Sequence, residues 1–277
     1  MSMFASREKS RWLTAAGVLV VLTYLFPVYW MVVSAFKNNA ELFRNPPTLF
    51  PVEPTMAAFR WIFERDNVAL YLWNSFFIAS STTLLTLILA APAAYGLSKI
   101  RERWVDAALI FILVIQVLPP ALLATPMFVI FRQFELINTR LSVVLADTTR
   151  TLPFALIILR TQFLMVPNEL EEAARIDGCS RVTAFLRIVL PAARGGLIVV
   201  SVISFIMAYG DLVYSLSFLP RKELHPATVG LYGWIGAEYA DWNNVMAFAS
   251  VVTLPVIVLF LLLQRHIVAG LTDGALK

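Results

Sequence analysis

The sequence predicts an all-α membrane protein with six transmembrane helices, and three observations lead to this fold class. Apolar residues make up 59% of the 277 residues and charged residues only 14%, whereas a soluble domain has about 25% charged residues. The mean hydropathy is +0.76. Several uncharged stretches reach the roughly 20 residues that a helix needs to cross a bilayer. This composition excludes a disordered chain and argues against a soluble enzyme.

Charge-free stretches locate the spans. The first stretch is longer than the apolar region of a cleaved signal peptide, so we expect it to be retained as a helix. The fourth contains Asp147 and Arg150, and the fifth contains Asp211. Prolines in or near the spans predict kinks. The predicted spans are residues 13–36, 73–97, 107–131, 141–159, 195–218 and 242–264.

Basic residues indicate the orientation of the chain. With the N-terminus inside, the inner segments contain 13 Lys and Arg residues and the outer segments 8, which predicts that both termini are cytoplasmic. Four prolines make the long outer loop mostly irregular, with a short helix expected near residues 57–65. The predicted organisation is a cytoplasmic tail (1–12), a first helix (13–36), an external loop (37–70), a core of five helices (71–265) and a cytoplasmic tail (266–277).

The sequence predicts neither a metal site nor a nucleotide site. Cys179 is the only cysteine, and His225 and His266 lack the spacing of metal ligands. No glycine is followed by lysine, so the chain has no P-loop. We therefore expect this chain to bind no cofactor and to obtain energy from ATP only through another protein.

The cytoplasmic connection between the fourth and fifth spans has the pattern of a helix, a turn and a second helix. Pro167 suits a first helical turn, and Glu171 precedes Arg175 by four residues, the favourable order for an ion pair. Gly178 can adopt the left-handed conformation that ends a helix. Ser180 is a good cap for the second helix. The apolar face of that helix consists of Val182, Phe185, Leu186 and Val189.

A specific motif lies in this connection. Glu172, Ala173 and Ala174 are followed after three residues by Gly178 and after nine more by the run from Ile188 to Pro191. This pattern resembles the EAA loop of bacterial ABC importer permeases. Similar matches occur at residues 71–75, 94–98 and 263–277, which resemble the conserved core and the tail of MalG-type carbohydrate permeases. The likeness covers nearly the whole chain and is weakest over residues 37–66.

The resemblance implies a type I ABC importer permease fold with a cytoplasmic coupling helix. The chain would be a non-catalytic transmembrane subunit of an ATP-driven sugar importer in a bacterial inner membrane, with trehalose or maltose as the first candidates. Its partners would be a second, MalF-like permease, two ATPase subunits that hold ATP and Mg, and an extracytoplasmic sugar-binding protein. No nucleic acid is expected. A permease for another solute, such as glycerol phosphate, is the nearest alternative.

The same resemblance makes the helix before Gly178 the part that docks in an ATPase subunit. Charged side chains would contact the ATPase, and the two alanines would allow close docking. For Glu172 and Asp177, helix capping and solvation remain an alternative. An amphipathic connector that lies on the membrane is the alternative for the whole segment. The predicted coupling residues are Glu171, Glu172, Ala173, Ala174, Arg175, Asp177 and Gly178.

Polar residues inside the spans are candidates for the solute path, because ionisable groups in a span usually face the protein interior or a water-filled cavity. Asp147 and Arg150 share one helix face and form a possible gate pair, unless both lie at the external end of the span. Asn74 and Gln116 can equally bind the backbone of a neighbouring helix. The candidates for the solute path are Gln116, Tyr209, Asp211, Tyr214 and Asn74.

Residues 209–211 depart from the Trp-Asn-acid triplet of many carbohydrate permeases. The departure points to a different sugar or to a larger share of contacts in the partner permease. Two other classes of function fit the sequence less well. An intramembrane metalloprotease needs a motif such as HExxH, which is absent. A passive channel or scaffold would leave the patterned cytoplasmic connection without a role.

Overall fold

The computed structural model describes residues 2–65, 67–100, 102–235 and 241–272, with side chains described for 12–64, 67–100, 102–235 and 241–264. Every regular element in these ranges is a helix, which confirms the all-α class. Part of the predicted C-terminal tail, residues 273–277, lies outside the described residues. Two compact units form, one from residues 1–68 and 231–254 and the other from residues 69–230 and 255–277.

The helices are named in chain order. Short 3₁₀ or π turns join some of them, at Lys222–Leu224 and Phe185–Val189. The helices are α1 (Ser2–Ala35), α2 (Asn39–Leu42), α3 (Ala57–Arg65), α4 (Val68–Ser98), α5 (Arg103–Ile115), α6 (Pro120–Gln133), α7 (Arg140–Met165), α8 (Asn168–Ile176), α9 (Arg181–Ala184), α10 (Leu190–Ala192), α11 (Arg194–Tyr209), α12 (Val213–Phe218), α13 (Ala227–Ile235) and α14 (Trp242–Thr272).

Within the described residues, four helices are individually long and apolar enough to cross a membrane. They lie in α1, α4, α7 and α14. Two helix pairs with a sharp bend are further candidates, α5 with α6 at 94° and the run α9–α10 with α11 at 77°. Counting each bent pair as one span gives six, the predicted number, although the second pair begins before the predicted fifth span.

The third span is not the continuous helix predicted over residues 107–131. Helix α5 ends at Ile115, and α6 begins only at Pro120. Pro119 and Pro120 have no backbone N–H to donate, and a proline disfavours helical geometry in the residue before it. The two prolines therefore break the span rather than merely kinking it.

The fifth span also differs from the prediction of one helix over residues 195–218. Helix α11 ends at Tyr209, and α12 begins at Val213. The Asp211 carboxylate accepts hydrogen bonds from the backbone N–H groups of Tyr214 at 3.3 Å and Ser215 at 2.8 Å. Asp211 therefore starts a new helix, and it does not lie within a continuous span.

The first unit contains α1 and the loop after it. The predicted short helix in this loop is confirmed as α3, and the apolar stretch of α1 is almost wholly exposed in the isolated chain. Elsewhere the loop is held by Glu41, which accepts hydrogen bonds from the Thr48 hydroxyl at 2.6 Å and the Val52 N–H at 2.9 Å. The Thr48 hydrogen bond and the nearby Lys37 lower the pKa of Glu41.

The second unit is built on α4 and α7 and has two apolar clusters. One cluster joins them to the segment predicted to be cytoplasmic, residues 166–191, through residues such as Ala94, Leu159 and Phe185. The other cluster joins α4, α6, α7 and α12 through residues such as Ile78 and Phe218. Helix α11 packs closely on α7, because Gly196 lies so near Gln162 that an added Cβ would fall 2.4 Å from its Cγ. Two polar sites lie beside these apolar clusters, one near each cluster.

Candidate functional site

The first site is the segment predicted to be cytoplasmic, residues 166–191, which folds as the predicted helix, turn and second helix. Helix α8 ends in a left-handed residue, Gly178, with φ of +90°. The Gly178 N–H donates to the Arg175 carbonyl at 3.1 Å, and the Cys179 N–H donates to the Ala174 carbonyl at 3.0 Å. These two bonds form a Schellman motif, which satisfies the last helical carbonyls and gives α8 a sharply defined end.

The second half of this segment starts where the sequence predicts. The Ser180 hydroxyl accepts a hydrogen bond from the Thr183 N–H at 3.2 Å and caps α9. Phe185 is buried, while Val182 and Leu186 remain more than half exposed in the isolated chain. All three line an apolar groove of about 650 Å³ whose opposite wall is α4.

The predicted coupling residues divide into an outer and an inner set. Glu172, Ala173 and Arg175 on α8 are exposed, as are the following Asp177 and Gly178. Leu170 and Ile176 add exposed apolar surface to the same helix, and Ile176 is 86% exposed. Ala174 is buried against its own chain, and the side chain of Glu171 is only 13% exposed.

Glu171 binds the C-terminal end of α4. The Lys99 Nζ lies 2.5 Å from Glu171 Oε2, and the Tyr95 hydroxyl donates to Glu171 Oε1 at 2.6 Å. Burial by itself raises the pKa of Glu171, but the hydrogen bonds from Lys99 and Tyr95 outweigh it and lower the pKa below 4.5. Glu171 is therefore ionised at neutral pH and is held between the two helices.

The second site lies in the spans, where α7 meets the break after α11. Arg150 Nη1 lies 3.8 Å from Asp147 Oδ1 and 3.9 Å from Asp211 Oδ1, so one guanidinium faces two carboxylates. Asp147 is 1% exposed and Asp211 is 3% exposed. Because α7 begins at Arg140, Asp147 lies two turns inside the helix.

A cavity of about 580 Å³ adjoins this charged cluster. Arg150 and Tyr214 line it, as does Gln116 at the end of α5, and the rest of the lining is mostly apolar. The Gln116 side chain donates to the Arg150 carbonyl at 2.7 Å, which ties the α5–α6 break to α7. A cavity with an apolar wall and a few convergent polar groups has the character of a small-molecule site.

The cluster retains unused hydrogen-bonding capacity. Within the part of the chain that the structure describes, the Tyr214 hydroxyl and both Asp147 carboxylate oxygens have no hydrogen-bond partner. Both side chains are buried, and buried polar atoms without partners are uncommon in folded proteins. These atoms can bind hydroxyl groups of a solute or rearrange when the helices move.

Two predicted path residues have other roles in the fold. The Asn74 side chain donates to the carbonyls of Glu223 and His225 at 2.9 and 3.0 Å and accepts a bond from Arg140 at 3.0 Å. This side chain therefore binds backbone, the alternative that the sequence left open. The Tyr209 ring stacks on Phe205 at a centroid distance of 5.7 Å and does not line the cavity.

Sequence reasoning missed two residues of the cytoplasmic site, Lys99 and Tyr95. Tyr95 lies in the last turn of α4 and Lys99 directly follows this helix, where a cation and an aromatic residue are ordinary features of a span boundary. A pairing with Glu171 leaves no periodic signal, because Tyr95 and Glu171 are 76 residues apart. Among the described residues, no group of three or more His, Cys, Asp or Glu side chains is placed to hold a metal ion.

The part of the chain that contains both sites matches a known protein family. Residues 84–273, which include both sites, match the family model described as binding-protein-dependent transport system inner membrane component. The chain is 32% identical to the sulfoquinovosyl glycerol transport system permease protein SmoH of Agrobacterium fabrum, over 100% of this chain and 96% of that protein. It is 33% identical to the trehalose transport system permease protein SugB of Mycobacterium tuberculosis, over 98% and 99%.

A further relative is the trehalose/maltose transport system permease protein MalG of Thermococcus litoralis, which is 31% identical over 96% of both chains. Among solved structures, the fold resembles a chain in the crystal structure of a bacterial ABC transporter involved in the import of the acidic polysaccharide alginate. The TM-score is 0.79 at 20% identity, and the match covers 94% of this chain and 97% of that chain. This second likeness concerns the fold alone.

Proposed function

The chain belongs to the family of binding-protein-dependent transport system inner membrane components, and on this basis we propose that it forms part of the membrane pathway of an importer for a neutral sugar. Its role as a non-catalytic ABC importer permease, predicted from the EAA loop, is confirmed by the family match and the relatives. ATP hydrolysis belongs to a separate subunit. The further statements about solute, partners and orientation are our proposal.

The proposed solute is a disaccharide, with trehalose and maltose as the first candidates. The names of two relatives, SugB and MalG, support this class of solute. The charged cluster supports a neutral solute, because Arg150 already faces Asp147 and Asp211 and supplies no spare positive charge. An anionic solute such as glycerol phosphate would need such a charge, and it remains the alternative to test.

The proposed assembly contains this chain, a MalF-like permease, two ATPase subunits that bind ATP and Mg, and an extracytoplasmic sugar-binding protein. Helix α8 supports the ATPase contact, because it exposes charged and apolar side chains beside a rigid end. Closure of the ATPase pair would push on α8 and shift the helices around the cavity. Arg150 would then exchange partners between Asp147 on α7 and Asp211 at the break, and so act as a gate.

The single observation that carries this proposal is the form of α8, a short helix with an exposed face and a Schellman end at Gly178. A surface connector that only lay on the membrane would need an apolar face directed toward lipid. In α8 the exposed side includes Glu172, Arg175 and Asp177 close to exposed Ile176. A mixed charged and apolar surface of this kind suits a protein partner better than a bilayer.

Uptake measurements test the solute. Cells that lack this subunit should fail to accumulate labelled trehalose or maltose, and the wild-type chain should restore uptake that depends on ATP. Labelled glycerol phosphate, assayed in the same cells, serves as the anionic comparison. Restoration of glycerol phosphate uptake without any effect on the disaccharides would contradict the neutral-sugar proposal.

Purification tests the assembly. A tagged chain extracted from native membranes should retain a second permease and twice as many ATPase subunits, and ATP hydrolysis should require those partners. Recovery of the chain without an ATPase, from membranes that show ATP-driven sugar uptake, would contradict the proposed partner set.

Cys179 allows a test of orientation without any substitution, because it is the only cysteine and is partly exposed next to Gly178. A membrane-impermeant maleimide should label inside-out vesicles and leave intact cells unlabelled. Labelling from the outside of intact cells would place residues 166–191 on the wrong side and would refute the coupling role.

A further inference from the structure

The contacts of Glu171 set it apart from the other predicted coupling residues. Its two carboxylate oxygens are engaged by different groups, Oε1 by the Tyr95 hydroxyl at 2.6 Å and Oε2 by Lys99 Nζ at 2.5 Å. Lys99 also donates to the side chain of Asn168 at 3.1 Å, in the first turn of α8. The end of α4 therefore binds α8 at two points, one turn apart.

Tyr95 connects this contact to the rest of the cytoplasmic end. The centroid of its ring lies 4.6 Å from that of Phe185 and 6.1 Å from that of Phe163. Lys99 Nζ lies 5.2 Å from the centroid of the Tyr95 ring. Phe163 belongs to α7, and Phe185 begins the π turn after α9. One side chain on α4 thus contacts three other elements, and aromatic contacts of this kind add to the stabilisation that burial alone gives.

We propose that Glu171 is a positioning residue, and that Lys99, Tyr95 and Glu171 form a joint that fixes α8 to the cytoplasmic end of α4. The proposal rests on the proposed function in one respect, since it takes α8 as the helix that an ATPase moves. It differs in the role of Glu171, which binds its own chain and leaves the ATPase contact to the exposed Glu172 and Arg175.

The physical reason for such a joint is the transmission of force. A helix of nine residues linked to the spans only by its two chain ends would yield when pushed. The charge-assisted hydrogen bond to Oε1 and the ion pair to Oε2 act from different directions and fix the orientation of the carboxylate. A displacement of α8 would therefore be transmitted to α4 directly as well as along the chain.

Amide hydrogen exchange tests the joint itself. The chain is purified in lipid nanodiscs with the subunits that copurify, and Glu171→Gln is compared with Glu169→Gln, the same change at an exposed position on α8. We expect exchange of the α8 amides to become at least fivefold faster in E171Q, with E169Q within twofold of the wild type. Equal exchange in E171Q and E169Q would overturn the joint. Tyr95→Phe, which removes a single hydroxyl, should give a smaller increase in the same amides.

Transport per ATP tests the positioning role. Glu171→Gln and Lys99→Met should each lower the sugar imported per ATP hydrolysed at least fivefold, while the amount of copurified ATPase stays the same. The double variant should be no more than twofold below the worse single variant, because both changes break one joint. Multiplied effects in the double variant, or a change in exchange without any change in sugar per ATP, would overturn the positioning role.

A failure of the importer role and a failure of the joint would give different results. If the chain were no importer subunit, the wild type itself would copurify without an ATPase and would show no ATP-driven uptake, whereas the exchange result for α8 would stand. If the joint were wrong, the wild type would transport normally and E171Q would match E169Q in both assays.

Discussion

The two polar sites of the second unit are held in opposite ways. In the cytoplasmic joint, Glu171 is bound by Lys99 at 2.5 Å and by Tyr95 at 2.6 Å. In the span cluster, Arg150 lies 3.8 and 3.9 Å from its two carboxylates. One site is tightly paired although it is near solvent, and the other is loosely paired although it is buried.

The difference agrees with the roles proposed for the two sites. Buried ions are costly to leave unpaired, so loose pairing in a buried place indicates a cluster that can exchange partners. Close pairing at the membrane surface indicates a part that keeps one geometry. The comparison predicts that substitutions in the joint change coupling, whereas substitutions in the cluster change solute handling and stability.

The largest effect on transport is expected from Gly178→Pro. Proline fixes φ near −65°, and Gly178 has φ of +90°, so the substitution costs about 3 kcal/mol and destroys the end of α8. ATP-driven uptake should fall at least about tenfold, since 1.4 kcal/mol already corresponds to that factor. The chain should still reach the membrane, as judged by immunoblot of membrane fractions.

Gly178→Asn is the matched control for that prediction, because asparagine tolerates left-handed geometry better than other residues. No neighbouring atom lies within 4 Å of an added Cβ at this position, so only the backbone is tested. Loss of uptake in the asparagine variant as severe as in the proline variant would show that the side chain, and not the conformation, matters.

Arg150→Met should have the next largest effect, on stability as well as uptake. It leaves two buried carboxylates, Asp147 and Asp211, without their cation. Removing one partner of a fully buried pair costs about 3–5 kcal/mol, and Arg150 is 30% exposed, so the loss should fall below that range. Thermal unfolding of the purified complex measures the loss. Adding Asp147→Asn to Arg150→Met should recover part of it, and further destabilisation would contradict the shared-cation interpretation.

Tyr214→Phe distinguishes solute binding from structure. The Tyr214 hydroxyl lies at the cavity and has no hydrogen-bond partner among the described residues, so the fold loses no bond when it is removed. If the hydroxyl binds solute, the KM for uptake should rise about 3–10-fold, as expected for one hydrogen bond, with an unchanged melting temperature. Tyr24→Phe, at a 77% exposed position on α1, is the control. An unchanged KM would remove Tyr214 from the solute path.

The smallest expected effect is a pH dependence in the joint. The folded pKa of Glu171 is lowered from 4.5, so its charge stabilises the folded state fully above pH 4.5 and this stabilisation is lost as the pH falls through the folded pKa. The contribution should be about 0.5–1 kcal/mol, because Lys99 is 39% exposed. The melting difference between wild type and Glu171→Gln should therefore disappear in acid. A difference that persists at the lowest accessible pH would show that the charge is not its cause.

Local rules made the cytoplasmic segment predictable from the sequence. Gly178 and Ser180 each act through their own backbone, so a helix end and a cap could be located without knowledge of the fold. Helix α3 was predictable for a related reason, since the proline-rich stretch of the loop ends at Pro54, just before the helix begins. The family resemblance then supplied the partner and the class of transporter, which local rules do not contain.

The breaks in the spans and the joint could not be predicted in this way. Asp211 was expected within a continuous helix, because apolar residues on both sides hid its role as the start of α12. The contact of Glu171 with Lys99 depends on how α4 and α8 pack, and no spacing in the sequence encodes it. Asp147 and Arg150 were recognised as a pair by helical spacing, but their third partner, Asp211, becomes visible only in the fold.

The interruption at Gly210 to Leu212 also limits how the fifth span can be oriented in a bilayer. Irregular backbone is not found exposed to lipid within the hydrocarbon region of a bilayer, so this stretch has to face protein or water. Its groups are already partly occupied, since the Asp211 N–H donates to the Ala208 carbonyl at 3.2 Å and the Thr228 hydroxyl donates to the Asp211 carbonyl at 2.5 Å. The short gap thus sets the rotation of the fifth span about its own axis, independently of any contact between a side chain and the solute.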